Sequence, residues 1–485
     1  MKKVILIIPP QEKFHKDYLP SIGIGYLASS LEKANYEVGI IDSYAEGLDD
    51  EETIKKVLEE KPDVVGVTAT SHNRFHAISI CKEIKRKSNN QIFVVVGGCH
   101  FSPTAISTLD SIPEIDVVIQ REGELTFVDL LNHYFQNKPF DDVLGIVFRK
   151  GRRIITTRPR SFVKNLDELP MPAWHLFNLE RYNAKLEGEE ETRSIGVMSS
   201  RGCPNECVFC ANSSFWQRLF RRHSPKKFID EVEFLYKNNG YHGFDFWDDT
   251  ITIMRSHIEE ICQEILKRKL DIVWYARARV NTVDKNLLIL MRKAGCKVIS
   301  FGVESGSPRI LKNIKKHITI EQVKKVVKIC ADLKYIVKLF FMYSLPGETL
   351  DDIEATRNLM LELKFYGPNI HVLPGFTFIY PGTVLEEIAK KEEILEDFDW
   401  NIPVKFDINE KIGVNPTIPL YEQESLSVEE IKSFLDSGIT QFIELAKSIS
   451  FAIKGVRDFN DIHCLFKRGS SYLKRRIPPF IKLDY

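Results

Sequence analysis

The sequence lacks the features that mark membrane-spanning and secreted proteins. No apolar stretch approaches the roughly 18 residues that a membrane-spanning helix needs. The apolar run Val4–Ile8 is shorter than the apolar core of a signal peptide and stops at Pro9, so it predicts a first strand. Nine cysteines, an odd number, argue against a disulfide framework and favour a reducing, cytoplasmic setting.

Neither sign of charge is in excess. The chain has 67 Lys and Arg residues and 67 Asp and Glu residues, so it has no overall basic field and nucleic acid is not an expected partner. With 485 residues, 44% of them hydrophobic, the chain is long enough for about three domains of about 150 residues each.

Residues 1–145 alternate strand and helix patterns, which predicts a doubly wound parallel sheet with helices on both faces. Ligands of such sheets bind beyond the carboxyl ends of the strands. Thr70-Ser71 follows the third predicted strand and Gly97-Gly98 follows the fourth. These small residues leave room for a bulky planar ligand, although a tight strand exit is the alternative for the glycine pair.

A nicotinamide site is a second hypothesis for the same half. Gly23–Ala28 fits the pattern G-x-G-x-x-A, and Asp42 closes the next predicted strand. The dinucleotide fingerprint places its first glycine directly after the first strand, whereas Pro10–Ser21 intervenes here as a long loop. The context therefore disfavours an oxidoreductase.

The rest of the chain divides into three predicted parts. Residues 146–190 contain a hairpin around Lys150-Gly151 and a proline-punctuated linker. Residues 191–390 hold six strand–helix units, which predict a partial β/α barrel with its chemistry at the carboxyl ends of the strands. Residues 391–485 predict a mainly helical extension with a capping box at Ser427 and Glu430.

Three cysteines follow the first strand of the predicted barrel, at Cys203, Cys207 and Cys210. Three thiolates suit a cuboidal [4Fe–4S] cluster in which each cysteine holds one iron, and the fourth iron stays open for a substrate or reagent. A zinc site completed by His223 is the alternative, and a loop of unligated cysteines is the simplest explanation.

The spacing C-x-x-x-C-x-x-C at this place resembles the radical S-adenosylmethionine (SAM) superfamily. The first half resembles the cobalamin-binding domain of corrinoid enzymes, and residues 1–390 together resemble the cobalamin-dependent radical SAM branch. The segments that share these patterns are Pro20–Leu31, Arg121–Glu124, and the strand ends at 248–249, 277–279, 302–306, 345–349 and 380–383.

The resemblance implies that the open iron binds SAM, whose reductive cleavage yields methionine and a 5′-deoxyadenosyl radical. A helix N-cap is the alternative for Asp248, a core position for Phe209, and turn chemistry for the Pro-Gly pairs. The implied SAM contacts are Phe209, Asp248, Arg279, Gly302, Glu304, Pro346, Gly347 and Tyr380.

The resemblance also implies cobalamin contacts in residues 1–145. We expect the tail base to be off cobalt, because a sheet of this kind accepts the tail only in an extended form beside Gly97-Gly98 and Thr70-Ser71. The family's usual motif D-x-H-x-x-G is absent, so we expect no histidine below the corrin, and His15 and His72 to be ordinary loop residues. The implied cobalamin contacts are Gly23, Thr70, Ser71, His72, Gly97, Gly98, Glu122 and Glu124.

The function implied by the resemblance is methylation of an unactivated carbon with methylcobalamin and a 5′-deoxyadenosyl radical. The same cofactors also serve cyclisation or rearrangement without methyl transfer, and a non-enzymatic corrinoid sensor or carrier is a further alternative. A methylthiotransferase resembles the barrel half alone. The sequence does not decide between methyl transfer and cyclisation.

The expected partners are a small-molecule or lipid-like substrate and an electron donor such as ferredoxin or flavodoxin. Residues 447–485 carry nine Lys or Arg and three Asp, a local charge of +6. A solvated tail is the simplest explanation. The alternative hypothesis is that this tail contacts an anionic substrate or a membrane surface.

Overall fold

The computed structural model describes residues 1–11, 18–396 and 398–436. The chain forms two compact units. The first comprises the described residues of Met1–Ala276 with those of Tyr380–Lys405, and the second comprises Arg277–Ile379 with residues 406–436. This division follows compactness, so the predicted domain boundaries at 145, 190 and 390 stay a prediction. None of the helices in the described ranges has both the length and the apolar composition needed to cross a bilayer.

The first unit opens with a seven-stranded sheet whose strand order is β2-β1-β3-β4-β5-β6-β7. Strands β1 to β5 pair in parallel and helices connect them, which confirms the predicted doubly wound sheet. The strands are β1 (Lys3–Ile8), β2 (Glu37–Asp42), β3 (Val64–Thr68), β4 (Phe93–Gly97), β5 (Val117–Ile119), β6 (Ile146–Lys150) and β7 (Arg153–Thr156). The helices are α1 (Ile22–Lys33), α2 (Ser43–Glu46), α3 (Asp50–Glu59), α4 (Arg74–Lys87), α5 (Gly98–Phe101), α6 (Ala105–Ser111) and α7 (Glu124–Phe135).

The predicted hairpin is present and is part of this sheet. Strand β6 pairs antiparallel with β5, with Val147 opposite Val118, and β7 pairs antiparallel with β6. Val147 and Phe148 are buried, so the hairpin extends the apolar core beyond the parallel strands. Its sequence pattern predicted two strands but gave no signal for the sheet they join.

The six strands predicted for the barrel are all present. Strand β12 pairs in parallel with β9 and β13, and in the second unit β15 pairs in parallel with β14 and β16. The strands of this series are β8 (Lys185–Leu186), β9 (Glu189–Val197), β10 (Ser200–Arg201), β11 (Arg221–Arg222), β12 (Gly243–Phe246), β13 (Val273–Ala278), β14 (Cys296–Glu304), β15 (Ile336–Tyr343) and β16 (Ile370–Phe376). The helices are α8 (Ala211–Phe215), α9 (Pro225–Asn239), α10 (Arg255–Lys267), α11 (Lys285–Lys293), α12 (Pro308–Asn313), α13 (Ile320–Asp332), α14 (Leu350–Lys364) and α15 (Val384–Lys391).

Two helices occupy the described part of the C-terminal extension, α16 (Asp407–Ile412) and α17 (Val428–Asp436). The predicted capping box forms at α17. The amide N–H of Glu430 donates to Ser427 Oγ at 3.1 Å, and the amide N–H of Ser427 donates to Glu430 Oε2 at 2.7 Å. The basic segment 447–485 lies outside the described residues.

Candidate functional site

The three predicted cluster cysteines lie on one loop that runs from β10 to α8. This position follows the carboxyl end of β9, where a barrel of this kind places its chemistry. Gly202, just before Cys203, has a φ of +88°, and a Cβ atom there would lie 1.9 Å from the carbonyl oxygen of Leu219. Only glycine fits this entrance to the loop.

Asp249 binds both ends of the cluster loop. Its Oδ2 accepts the amide N–H of Gly202 at 2.9 Å, and its Oδ1 accepts Nδ2–H of Asn212 at 2.5 Å. Gly202 directly precedes Cys203, and Asn212 follows Cys210 by two residues. One carboxylate therefore holds together the two ends of the segment that contains all three cysteines.

Asp248, a predicted SAM contact, is fully buried beneath the same loop. Its Oδ1 accepts the hydroxyls of Ser199, at 2.7 Å, and Ser200, and its Oδ2 accepts the amide N–H of Ser199 at 3.2 Å. Burial raises the pKa of Asp248, and these hydrogen bonds counteract part of the rise. The described contacts give Asp248 a supporting role under the loop, and its predicted contact to SAM stays a prediction.

The zinc alternative does not fit the geometry. His223 lies 3.0 Å from the Tyr26 hydroxyl through Nε2 and 3.2 Å from Asp167 Oδ1 through Nδ1, so protein groups already contact both ring nitrogens. Burial lowers the pKa of His223 to about 4. Within the described ranges, no three or more His, Cys, Asp or Glu side chains are grouped to hold a single metal ion. Three soft thiols on one loop fit a polynuclear cluster, because each cysteine then holds a different iron.

Five of the predicted cobalamin contacts lie at the carboxyl edge of the first sheet. Gly98 has a φ of +94°, and a Cβ atom there would lie 2.6 Å from Thr68 Oγ1. The crowding at Gly98 is therefore a backbone requirement, whereas a Cβ atom on Gly97 would meet only ordinary contacts, the nearest at 3.5 Å. The five residues are Thr70, Ser71, His72, Gly97 and Gly98.

Side chains at this edge are already hydrogen-bonded. Thr70 Oγ1 donates to Asn73 Oδ1 at 3.1 Å, and Ser71 Oγ lies 3.1 Å from Nδ1 of the buried His100. Within the first unit, His72 Nε2 lies 3.2 Å from the hydroxyl of Tyr380, which joins a predicted cobalamin contact to a predicted SAM contact. His15, the other histidine considered above, lies outside the described residues.

A cavity of about 170 Å³ lies inside the first unit, between segments that follow β4 and β5 and the helix α8. Residues after β4 and β5 form one wall, and α8, which starts directly after Cys210, forms the other. The cavity is lined by Cys99, Ser102, Pro103, Gln120, Arg121, Ala211, Ser214, Phe215 and Pro381. Segments that follow strands of the first sheet and the helix that follows the cysteine loop therefore line a common space.

Glu122 and Glu124, predicted to contact cobalamin, form buried ion pairs with two arginines that flank the cysteine loop. Arg201 Nη1 lies 2.8 Å from Glu122 and its Nη2 lies 2.7 Å from Glu124, while Arg221 Nη1 lies 2.7 Å from Glu122. Burial alone would lower the pKa of Arg201, and the two carboxylates outweigh it and raise this pKa. Gly23, also a predicted contact, is an exposed residue of α1 with nothing within 4 Å of a Cβ atom.

In the second unit, three predicted SAM contacts meet around a lysine that the sequence did not reveal. Lys316 Nζ lies 2.6 Å from Glu304 Oε1, with both side chains buried, and Arg279 Nη2 donates to the carbonyl oxygen of Lys316. A Cβ atom on Gly302 would lie 2.2 Å from Glu304 Oε1, so glycine is required beside this ion pair. Lys316 follows a short helix and belongs to no motif.

The remaining predicted SAM contacts are separate from this group. Gly347 has a φ of +74°, and its amide N–H donates to Gln423 Oε1 at 2.8 Å, which fits the turn chemistry considered for Pro346-Gly347. Phe209, between Val208 and Cys210, is half-buried on the cluster loop. The roles of all these side chains toward SAM stay predictions.

Comparison with known proteins identifies the family. A model described as "B12 binding domain" matches residues 15–131, and one described as "Radical SAM superfamily" matches residues 197–360. An uncharacterised methyltransferase of Pyrococcus horikoshii is 34% identical over 404 residues, which cover 82% of this chain and 85% of the relative. The chain belongs to the cobalamin-dependent radical SAM enzymes. Its cofactors are a [4Fe–4S] cluster, SAM and cobalamin, and the carrier and nicotinamide hypotheses lose their support.

The chain is also similar to a cyclase and to a solved structure. An anaerobic magnesium-protoporphyrin IX monomethyl ester cyclase of Rubrivivax gelatinosus is 29% identical over 392 residues, covering 79% of this chain and 68% of the relative. The structure of the cobalamin-dependent SAM radical enzyme OxsB with aqua-cobalamin and SAM bound has a TM-score of 0.73 at 18% identity, and the match covers 98% of this chain and 71% of that one. The structural likeness supports the fold alone.

Proposed function

We propose that this enzyme methylates a carbon atom of a small molecule with an apolar body. The observation that carries the proposal is the cavity between the segments after β4 and β5 and the helix that directly follows the cysteine loop, because methyl transfer needs both cofactors to reach one substrate. Bound cobalamin supplies the methyl group, and the cluster with SAM supplies a radical. The protein's contribution is to orient these groups and to exclude water.

Cyclisation or rearrangement is the second candidate, since the family includes the cyclase of Rubrivivax gelatinosus. The match to the methyltransferase of Pyrococcus horikoshii has a higher identity than the match to the cyclase, and it covers more of the relative's length. This favours methyl transfer. Both reactions begin with the same radical, so the fate of the methyl group of SAM distinguishes them.

An exposed apolar pair in the second unit supports an apolar or lipid-like substrate. Phe340 on β15 and Leu373 on β16 stand opposite each other in the sheet register and are 41% and 40% exposed. Gly302 on β14 stands opposite Phe340 from the other side, so the pair adjoins the Glu304–Lys316 ion pair. Large side chains exposed side by side within a sheet are typical of a binding surface.

The test follows a labelled methyl group. Holoenzyme, reduced with dithionite, is incubated with SAM carrying a ¹³C methyl group and with an extract of the organism that encodes the chain. The extract is divided into chloroform-soluble and water-soluble fractions. We expect a chloroform-soluble product that gains one labelled methyl group. Formation of 5′-deoxyadenosine without transfer of the label would favour cyclisation, and label only in the aqueous fraction would contradict the apolar substrate.

A variant and a matched control test whether Phe340 contributes to labelling of the substrate. Phe340→Asn should lower labelling by about tenfold. The apolar contact that a bound substrate would bury on this exposed ring is worth about 1.5 kcal/mol, which corresponds to that factor. Phe234→Asn changes a phenylalanine of α9 that is 39% exposed, and it should leave labelling unchanged. Equal labelling by both variants would remove the substrate role of Phe340.

The remaining partners are part of the proposal. The cluster needs one-electron reduction, which a ferredoxin or flavodoxin would supply. We propose a cytoplasmic location, and we expect nucleic acid not to be a partner because the charges balance. Membrane contact through residues 447–485 stays a hypothesis. Deletion of 467–485 with unchanged binding to anionic vesicles and unchanged substrate affinity would contradict it.

A further inference from the structure

One cluster cysteine has a side-chain hydrogen-bond donor of its own. Nδ2–H of Asn205 donates to Cys203 Sγ at 3.1 Å. Thr250 Oγ1 lies 3.9 Å from the same sulfur, but its hydroxyl donates to the carbonyl oxygen of Asp249 at 2.6 Å. Because that contact uses the single hydrogen of the hydroxyl, Asn205 is the side-chain donor to this sulfur among the residues that the structure describes.

We propose that Asn205 raises the reduction potential of the [4Fe–4S] cluster through its hydrogen bond to Cys203. The proposal rests on Cys203 being a cluster ligand, and it needs neither cobalamin nor a substrate. Reduction adds negative charge to the cluster and its thiolate sulfurs. A donor pointing at a sulfur stabilises the reduced form more than the oxidised form, so it makes reduction easier.

The local sequence favours this contact. Asn205 follows Cys203 by two residues, and a short asparagine side chain reaches back over that distance in turns. An aspartate at the same position would present only acceptor oxygens to the sulfur, and its charge would oppose reduction. An alanine would leave the sulfur without this donor. The three side chains therefore predict three different potentials.

The size of the effect follows from the energy of one hydrogen bond. A hydrogen bond to a charged group is worth about 1.5 kcal/mol or more, which is about a tenfold change in an equilibrium constant. For a one-electron couple, tenfold corresponds to about 59 mV. Because the hydrogen bond also stabilises the oxidised form in part, Asn205→Ala should shift the midpoint potential to more negative values by up to about this amount, and Asn205→Asp should shift it further in the same direction.

The experiment is a potentiometric titration of the reconstituted cluster, followed by electron paramagnetic resonance without SAM or cobalamin. Iron and sulfide content are measured first, so that only variants with a full cluster are compared. Asn205→Ser keeps a donor hydroxyl and should recover part of the shift. Thr250→Val is the matched control, because it changes a neighbour of the same sulfur that is not its donor, and its midpoint should equal that of the wild type.

The outcomes distinguish an effect of Asn205 on the reduction potential from a structural role of Asn205 in the cysteine loop. A midpoint of Asn205→Ala equal to the wild type, at full iron content, overturns the proposal. If Asn205→Ala does not retain the cluster, the order of the serine, aspartate and wild-type midpoints decides: serine must lie between the other two. Any other order overturns the proposal, as does a shift in Thr250→Val as large as that in Asn205→Asp.

Discussion

Replacing Glu122 by glutamine tests whether this residue supports the cysteine loop or binds cobalamin. Glu122 Oε1 accepts hydrogen bonds from Nη1 of both Arg201 and Arg221, and its Oε2 accepts one from the amide N–H of Val163 at 2.9 Å. In Glu122→Gln, Arg201 keeps Glu124. Among the described ion pairs, Arg221 has none besides Glu122, and its side chain is only 9% exposed.

The expected loss of stability follows from this difference between Arg201 and Arg221. Breaking a buried pair so that one charge stays uncompensated costs about 3–5 kcal/mol. The amide nitrogen of glutamine would also face either an arginine or the amide of Val163, and one unsatisfied buried group costs about 1–3 kcal/mol. We expect a total loss of about 4–8 kcal/mol in the free energy of unfolding of the first unit. Glu124→Gln should cost less, because Arg201 then keeps Glu122.

The assay combines urea unfolding, followed by circular dichroism, with cobalamin binding, followed by absorbance below the unfolding transition. We expect lower stability and unchanged cobalamin affinity. Glu83→Gln is the matched control, because Glu83 pairs with Arg86 on the surface of α4 and such pairs contribute little. A large loss of cobalamin affinity with no loss of stability would refute the supporting role and restore the predicted contact.

Four further predictions concern the same unit. Replacing Cys203, Cys207 or Cys210 with Ala should abolish dithionite-dependent formation of 5′-deoxyadenosine, while Cys262→Ala, in the core of α10, should not; activity in all three variants would contradict the ligand assignment. Asp249→Ala should speed loss of cluster iron to a chelator about tenfold or more, whereas an unchanged rate would remove the role of Asp249 at the loop ends. Burial raises the pKa of Glu231 from 4.5 to about 8, so the unfolded chain loses this proton first and stability should fall by about 4 kcal/mol as pH rises from about 4.5 to about 8. Glu231→Gln should flatten that part of the stability profile, and parallel profiles would show that Glu231 does not titrate as expected. The cob(II)alamin-loaded enzyme should show no nitrogen superhyperfine splitting; any such splitting would contradict the base-off, His-off assignment, and its retention in a His15→Ala, His72→Ala double variant would identify the cofactor's own base as the ligand.

The sequence predicted the elements better than it predicted the contacts between them. Alternation of strand and helix patterns identified the first sheet and the six barrel strands, because hydrophobic periodicity is a local property. The cysteine spacing singled out residues 203–210 for the same reason, and their role as cluster ligands stays a prediction. The partners of Glu122 and Glu124 are 77 to 99 residues away in the chain, at Arg201 and Arg221, and no local pattern reveals such pairs.

Lys316 and Asn205 could not be found from the sequence, for two different reasons. Lys316 is one lysine in a lysine-rich segment, and only folding places its ammonium 2.6 Å from Glu304. Asn205 lies inside the cysteine motif, but its side chain has several directions open to it, and the motif does not say which one it takes. Spacing therefore points to candidate ligands, whereas hydrogen-bond donors to those side chains need coordinates.

The contacts of the cysteine loop explain why the two halves of the first unit depend on each other. Arg201 lies two residues before Cys203, and its carboxylate partners come from the segment that opens α7 of the first sheet. Asp249, which follows β12 of the barrel series, binds the loop at Gly202 and Asn212. Without residues 1–145, Arg201 and Arg221 would be left without their described carboxylate partners directly beside the cysteines, at a cost comparable to the stability of a small domain. The barrel strands alone therefore supply the thiols but not the charges that keep the entrance of the loop folded.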